Sequence, residues 1–197
     1  MAALVGHPFS KPLNSAMPES YDEPRWYAVH TNVNQEKQVA LQFGQRSIEH
    51  HLPLYESERH WKDRRVRLQM PLFPGYLFVR IVLRDRFRVQ QMPTVVRLVS
   101  FAGVPVPVSE NEIHALQNCL ARGQRVEPHP YLQAGRRVRV RRGFLEGLEG
   151  IIQRRKNKTR LIVSFELIMR SVSVEIEEAD LVSVNLDCGP DQDGRVG

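Results

Sequence analysis

The stretch LFPGYLFVR, which spans residues 72–80, constrains the fold more than any other part of the chain. Its second half is an apolar and aromatic run that predicts a central β-strand, and its Pro-Gly pair predicts the turn that leads into that strand. Because side chains alternate across a strand, one face of the sheet cannot bury Phe73, Tyr76 and Phe78 together. We therefore expect Phe78 in the core and some aromatic surface left exposed. The alternative is an ordinary turn before a buried strand.

The chain before residue 123 alternates predicted strands with predicted helices. Strands are expected at 26–30, 48–55, 76–83 and 94–101, and helices at 32–46, around 87 and at 109–123. Pro53 marks the second strand as bent or as a sheet edge, and Ser109 with Glu112 matches a capping box at the last helix. This order predicts an α+β domain over residues 24–122, with a mostly antiparallel sheet covered on one face by helices.

The chain changes character after residue 123. Residues 123–132 place Pro128 and Pro130 among polar residues and are predicted to form a linker. Beyond the linker, short alternating runs that begin with RVRVR at 137–141 are separated by glycines. They predict five strands in a small all-β barrel over residues 133–185.

The ends of the chain and its composition bear on the compartment. Residues 1–23 and 186–197 show no periodicity, so we expect a disordered leader and a flexible tail. The net charge is +6 with a pI near 9.7, a basic balance that favours a polyanionic partner such as nucleic acid. The first residues lack the apolar core of a signal peptide, and no apolar run reaches the length of a membrane span. We expect a cytoplasmic, monomeric protein.

Residues suited to catalysis or metal binding are present but not grouped. Cys119 and Cys188 form neither a disulfide framework nor a zinc motif, and the histidines are scattered. The carboxylates of Glu146 and Glu149 lie in a glycine turn with no histidine or serine nearby in sequence. We therefore expect no enzyme activity, no cofactor and no metal site.

A strongly basic segment, RHWKDRRVR at 59–67, lies between two predicted strands. It places aromatic rings among five Lys or Arg and one Asp. Such a combination binds nucleic-acid phosphates and can stack on an unpaired base. The alternative is a solvated hairpin tip without a ligand. The candidate nucleic-acid-binding residues are Arg59, His60, Trp61, Lys62, Arg64 and Arg65.

Three sequence landmarks occur in one order along the chain: WYAV at 26–29, LFPGY at 72–76 and GFLEGLEG at 143–150. Together they resemble the NusG family of bacterial transcription elongation factors, and the resemblance covers residues 26–184. It implies the N-terminal (NGN) fold of that family, followed by an SH3-like barrel in which 147–152 resembles the KOW motif.

The resemblance implies a polymerase-docking surface on the N-terminal domain. In the family this domain binds the clamp helices of the RNA polymerase β′ subunit, bridges the DNA cleft and disfavours pausing. The basic segment would then lie beside the non-template DNA strand. The positions that match the docking surface are Trp26, Tyr27, Phe73, Pro74 and Tyr76.

The resemblance also implies a partner surface on the barrel. In the family, aromatic residues of two barrel loops meet either the termination factor Rho or a small-subunit ribosomal protein. The matching positions here are Leu145, Leu148, Ile168 and Met169. They lack rings, so we expect a specialised antitermination paralogue that recruits other factors, with Rho the weaker candidate partner. The β-branched run at 171–176 favours strand, so we expect a stable barrel and not the helical form known in one branch of the family.

Two other functions stay open from the sequence. The first is a housekeeping NusG that acts with Rho in termination. The second is a KOW-containing RNA- or ribosome-binding protein, which is favoured by a run of basic residues in one barrel loop. The landmark at 72–76 argues against the second as the whole function. The basic residues of that loop are Arg154, Arg155, Lys156, Lys158 and Arg160.

Overall fold

The structure is a computed structural model that describes residues 22–61, 64–132, 135–143, 145–155 and 158–184. The predicted tail and most of the predicted leader lie outside the described residues, as does Lys62. The side chains of Arg59, Trp61 and Arg64 also lie outside the description.

The N-terminal domain is built on a four-stranded antiparallel sheet with the strand order β2-β5-β1-β6. Strands β3 and β4 form a separate hairpin, and β7 and β8 form a second, shorter one. The elements are β1 (Arg25–Thr31), α1 (Glu36–Gln45), β2 (Glu49–His51), β3 (Leu54–Trp61), β4 (Arg64–Pro71), β5 (Tyr76–Ile81), α2 (Arg86–Gln90), β6 (Val95–Leu98), β7 (Ser100–Phe101), β8 (Val104–Pro105) and α3 (Glu110–Ala121). The α+β architecture predicted from the sequence is confirmed.

Both faces of this sheet are buried, whereas the sequence predicted cover on one face. Strand alternation sends Tyr27 and Val79 to one face, where they pack with Val39 and Phe43 of α1 and with residues of α2. The opposite face carries Phe78 and packs against α3 and against the C-terminal domain. The sequence predicted helices enough to cover one face, and it did not reveal that the second domain would supply part of the cover on the other.

Helix α3 ends in a tight cap that matters for the domain connection. Gly123 has a φ of 65°, a left-handed conformation that glycine adopts without steric cost. Its N–H donates to the carbonyl of Leu120, and the N–H of Gln124 donates to the carbonyl of Cys119 at 3.0 Å. At the other end, Ser109 precedes the helix in extended conformation, but its side chain makes no capping hydrogen bond. The serine half of the predicted capping box therefore does not form.

The C-terminal domain is a six-stranded antiparallel sheet with the order β14-β10-β11-β12-β13-β9. Its inward-facing side chains share a core that includes Leu161, Val163 and Val172. The strands are β9 (Val126–His129), β10 (Arg137–Val140), β11 (Glu149–Arg155), β12 (Lys158–Phe165), β13 (Arg170–Glu175) and β14 (Leu181–Ser183). The sequence predicted a strand at 171–176, and β13 confirms it.

Strand β9 lies inside the segment predicted to be a linker. Its four residues pair antiparallel with β13, so this part of the predicted linker belongs to the C-terminal sheet. No sequence pattern predicted this strand, since proline usually opposes strand formation. Pro128 is tolerated because β9 is an end strand whose outer edge has no neighbour in the sheet order.

Candidate functional site

The turn that leads into β5 is held in place from three sides. The N–H of Tyr76 donates to the carbonyl of Phe73 at 2.9 Å, and Gly75 has a φ of 82° that favours glycine. The carbonyl of Gly75 accepts from the N–H of Thr31 in β1, and its N–H donates to Oε1 of Glu36 at 2.7 Å. The turn is therefore rigid, and it fixes where Phe73 and Tyr76 lie.

Glu36 is a functional candidate that the sequence reasoning missed. Its side chain is buried, and a buried carboxylate is tolerated when a hydrogen bond compensates its lost hydration. It lies in the first turn of α1, where the helix dipole favours a negative charge. The sequence shows a glutamate at the start of a predicted helix and, separately, a Pro-Gly turn. It does not show that the two lie close together in the folded chain.

The sheet face next to this turn is aromatic and carries most of the predicted docking residues. In the register of β1 and β5, Ala28 pairs with Phe78 and His30 with Tyr76, so Trp26, Phe78 and Tyr76 share one face. We call Trp26, Phe73, Tyr76 and Phe78 the aromatic face.

Phe73 is 1% exposed, so it does not supply the exposed aromatic surface that the sequence predicted for this region, whereas Tyr76 is half-buried. Its ring packs edge-on against Phe78, with centroids 5.8 Å apart, and against Phe165 of the C-terminal domain at 5.0 Å. Phe165 also reaches Phe78, with ring centroids 6.0 Å apart. Strand alternation describes the N-terminal domain alone, whereas the end of β12 brings a ring from the other domain onto this face.

The other predicted docking residues occupy different environments. Tyr76 is half-buried and its ring lies 5.0 Å from the ring of His30, while Pro74 is exposed. Trp26 is buried, and its indole N–H has no hydrogen-bond partner among the described residues. Tyr27 lies on the opposite face of the sheet, in the core beside α1, so the structure does not bring it together with the other four.

The basic segment forms the predicted hairpin. Strands β3 and β4 pair with Trp61 opposite Arg64 and His60 opposite Arg65, so the basic residues gather at the tip. His60 and Arg65 are exposed. The base of the hairpin is joined to the aromatic face, because β4 runs directly into the turn at Phe73. The hairpin is confirmed as a structure, and its binding role stays a prediction.

The predicted partner surface of the C-terminal domain is largely internal. Leu145, Leu148 and Ile168 are buried in the hydrophobic core, whereas Met169 is exposed in a left-handed conformation with a φ of 52°. These three aliphatic side chains point inward because they complete a small core. The expectation that all four would present an apolar patch was therefore wrong for this arrangement of the chain.

Arg160 does not belong to a free basic loop. Its guanidinium lies 2.8 Å from Oε2 of Glu127 in β9 and 3.5 Å from Oε1 of Glu175 in β13. Burial by itself would raise the pKa of Glu127, but hydrogen bonds from Arg160 and Arg125 outweigh it and hold that pKa below its ordinary value. The guanidinium therefore ties β9 to the sheet and is not available to phosphates in this arrangement.

Two other titratable side chains have shifted pKa values. Burial, and to a smaller extent the neighbouring His50, lowers the pKa of His51 to about 4. Burial raises the pKa of the Cys119 thiol to about 11. Within the described ranges no three His, Cys, Asp or Glu side chains are grouped to hold a metal ion, and no helix is long and apolar enough to cross a membrane.

Comparison with known proteins gives one consistent result. The family model described as "Transcription termination factor nusG" matches residues 24–117. Transcription termination/antitermination protein NusG of Escherichia coli K12 is 27% identical over 175 residues, which covers 78% of this chain and 92% of that protein. The NusG of Vibrio vulnificus is 26% identical with the same coverage.

A solved structure shares the fold. It is described as "Domain interaction in Thermotoga maritima NusG" and superimposes with a TM-score of 0.54 at 20% sequence identity. The match covers 84% of this chain and all of that chain, so the two-domain order is common to both.

Proposed function

The chain belongs to the NusG family of transcription elongation and termination factors, and we propose that it docks on RNA polymerase through its aromatic face. The family resemblance assigns the β′ clamp helices as the target. Phe73 and Tyr76 are the anchors, because an aromatic ring held in a rigid turn loses little entropy on binding and rings of this kind dominate interface energies.

The observation that carries this proposal is the contact between Phe73 and Phe165 across two domains. A ring that belonged to a permanent core would be completed by its own domain, as Phe43 is on the other side of the sheet. Phe73 is instead completed by a domain attached through a short connection. A surface covered in this way can be uncovered without unfolding the domain that carries it.

The same contact makes docking conditional. Phe165 and a polymerase helix cannot occupy one position, so the arrangement described above is closed with respect to docking. Docking therefore requires the domains to separate.

The hairpin formed by β3 and β4 contacts the non-template DNA strand once the aromatic face is docked. Strand β4 of the hairpin leads directly into the turn that carries Phe73, so docking of the aromatic face also fixes the orientation of the hairpin. Exposed arginine at the tip provides phosphate contacts, which are sequence-independent, and Trp61 or His60 provides stacking on an unpaired base, which is worth about 1–3 kcal/mol per base.

The C-terminal domain recruits other factors after separation. Of the four positions that match the family's partner surface, Met169 is the exposed one here, and it carries no ring, so a partner that packs an aromatic side chain at this position loses roughly 1 kcal/mol of pairing energy. A small-subunit ribosomal protein is therefore a better candidate partner than Rho, and the chain acts as a specialised antitermination factor. Addition of the protein to a purified Rho termination assay tests this: earlier termination would assign it to the housekeeping factors.

A pair of substitutions tests the docking proposal. Phe165→Ala and Phe73→Ala both remove the contact between Phe73 and Phe165, but only Phe73→Ala removes the proposed anchor. We expect Phe165→Ala to raise the amount of polymerase captured in a pull-down, and Phe73→Ala to lower it by at least tenfold relative to Phe165→Ala. Phe101→Ala, at an exposed phenylalanine of β7, is the matched control. Equal capture by the two variants would contradict the anchor role of Phe73.

A further inference from the structure

The connection between the two domains is fastened at both ends. On one side the cap of α3 holds the chain as far as Gln124, whose N–H bonds back to Cys119. On the other side β9 begins at Val126 and is already part of the C-terminal sheet. Arg125 lies between these two points. Because consecutive residues advance the chain by at most about 3.6 Å, this connection spans no more than about 7 Å.

Strand β9 is attached to the C-terminal domain along its whole length and beyond. It pairs with β13 from Val126 opposite Val174 to His129 opposite Ser171. Leu132 is also attached, because its N–H donates to Oγ of Ser171 at 3.2 Å and its carbonyl accepts from Oγ of Ser164 at 2.7 Å.

This fastening limits how far the C-terminal domain can move from the aromatic face. While β9 is paired, the domain stays at the end of α3, and α3 itself packs on the same side of the sheet as Phe73. Once β9, Tyr131 and Leu132 are released, the chain from Gln124 to Arg136, whose carbonyl accepts from the N–H of Ile152 in β11, becomes a tether that reaches up to about 43 Å. Release of β9 is therefore the step that allows the two domains to separate fully.

Strand β9 is constructed as a weak strand. It has four residues, it lies at the end of the sheet, and Pro128 within it has no N–H to donate. Its Glu127 pairs with the neighbouring Arg125 at 2.7 Å and, across the sheet, with Arg160 at 2.8 Å, where the arginine side chain is 17% exposed. Removal of β9 leaves that largely buried guanidinium with Glu175 as its carboxylate partner and leaves the edge of β13 open for a new strand.

We propose that the edge of β13, occupied here by β9, is a strand-addition site for an extended segment of a partner protein. The segment carries a carboxylate that takes the place of Glu127 and forms an ion pair with Arg160. Main-chain hydrogen bonds to β13 supply affinity in this mode, and the carboxylate supplies selectivity. The hydroxyls of Ser164 and Ser171 hydrogen-bond to the main chain of the partner residue that takes the position of Leu132. Occupation by the partner keeps β9 released and so favours the open form. The strand-addition site itself does not depend on the proposed docking function. Only the expected effect of the partner on polymerase binding rests on that function.

The first test uses a peptide with the sequence of residues 124–132, QRVEPHPYL, added to the full chain. The tethered β9 competes at a millimolar effective concentration, so the protein carries Glu127→Ala to weaken its own strand. We expect the peptide to shift the NMR signals of β13 and to increase the radius of gyration in X-ray scattering. The matched control is the same peptide with Lys in place of its Glu, which should bind at least fivefold more weakly. Equal binding of the two peptides, or no shift in β13, would overturn the proposal.

The second test locks β9 in place. Glu127 lies opposite Ser173, so Glu127→Cys with Ser173→Cys allows a disulfide between the strands, in a chain where Cys188 is changed to Ser. We expect the oxidised form to capture at least tenfold less polymerase than the same protein after reduction. Equal capture would show that β9 need not be released. If neither form captures polymerase, the docking proposal fails, and the peptide test still decides the strand-addition site because it does not use polymerase.

Discussion

Both faces of the N-terminal sheet carry fully buried side chains, but they differ in what buries them. On one face Tyr27 and Val79 are covered by α1 and α2, which are elements of the same domain. On the other face Phe73 and Phe78 are covered in part by Phe165, which arrives from a separate sheet near the end of the chain. Burial alone therefore does not distinguish a permanent core from a surface that a second domain occupies. The origin of the covering residue makes that distinction.

The difference between the faces has a physical basis in chain connectivity. Contacts with α1 form between segments that are close in sequence, so they cost little loop-closure entropy and persist in either arrangement of the domains. The contact with Phe165 depends on the connection through Arg125 and on β9 staying paired with β13. The face packed against α1 therefore stays buried in either arrangement of the domains. The aromatic face is uncovered when a partner displaces β9 from β13 or displaces Phe165 from the aromatic face.

The largest expected effect comes from the permanent core. Phe43→Ala should lower the free energy of unfolding of the N-terminal domain by about 3–5 kcal/mol, because it removes a fully buried ring from α1. Phe73→Ala should cost less, because a cavity at a domain boundary closes when the domains separate. Urea unfolding followed by circular dichroism measures both.

The matched control for this comparison lies on the same helix. Leu41 is 64% exposed, so Leu41→Ala should change the unfolding free energy by no more than about 0.5 kcal/mol. If Phe73→Ala destabilised the domain as strongly as Phe43→Ala, the two faces would be equivalent cores and the comparison would fail.

A smaller effect is expected where the two faces meet. Glu36 belongs to α1 on the permanent side, yet its carboxylate holds the N–H of Gly75 in the turn that presents Phe73. Glu36→Ala leaves that N–H without its partner and should lower the free energy of unfolding by about 1–3 kcal/mol. Glu36→Gln keeps an acceptor oxygen and should lose less.

The chemical shift of the Gly75 amide proton reports this hydrogen bond directly. It should move upfield in Glu36→Ala and stay near its original value in Glu36→Gln. Equal shifts and equal destabilisation in the two variants would show that the side chain acts only by filling space.

Local chemistry made much of the N-terminal domain predictable. The alternation in β1 and β5, the turn at Pro74 and Gly75, and the apolar spacing in α1 each depend on neighbours within a few residues. The family resemblance then supplied the two-domain order, which the shared fold bears out. The buried carboxylate of Glu36 was not predictable, since its partner is brought close only by the folded sheet.

The domain contact and β9 were not predictable for a different reason. Nothing near Phe73 in the sequence indicates that Phe165 completes its surroundings. Two prolines in the predicted linker argued for an extended connection, but one edge of a strand can accept proline when the other edge carries the pairing. Both features arise from long-range packing, which is where sequence pattern carries the least information.

The smallest expected effect concerns pH and the attachment of β9. Glu127 has a folded-state pKa held below its ordinary value of 4.5 by Arg160 and Arg125, and Arg160 also faces Glu175 from β13. A lowered pKa means that the carboxylate stabilises the attached strand above about pH 4.5, and that this contribution is lost as the pH falls through the folded-state pKa. The open form should therefore gain population in acid, which X-ray scattering between pH 6 and about pH 3.5 would detect as a larger radius of gyration. In Glu127→Gln the strand lacks the titrating group, so the acid-induced increase should be smaller. An increase of the same size in both proteins would assign the pH response to other carboxylates and remove Glu127 from the attachment of β9.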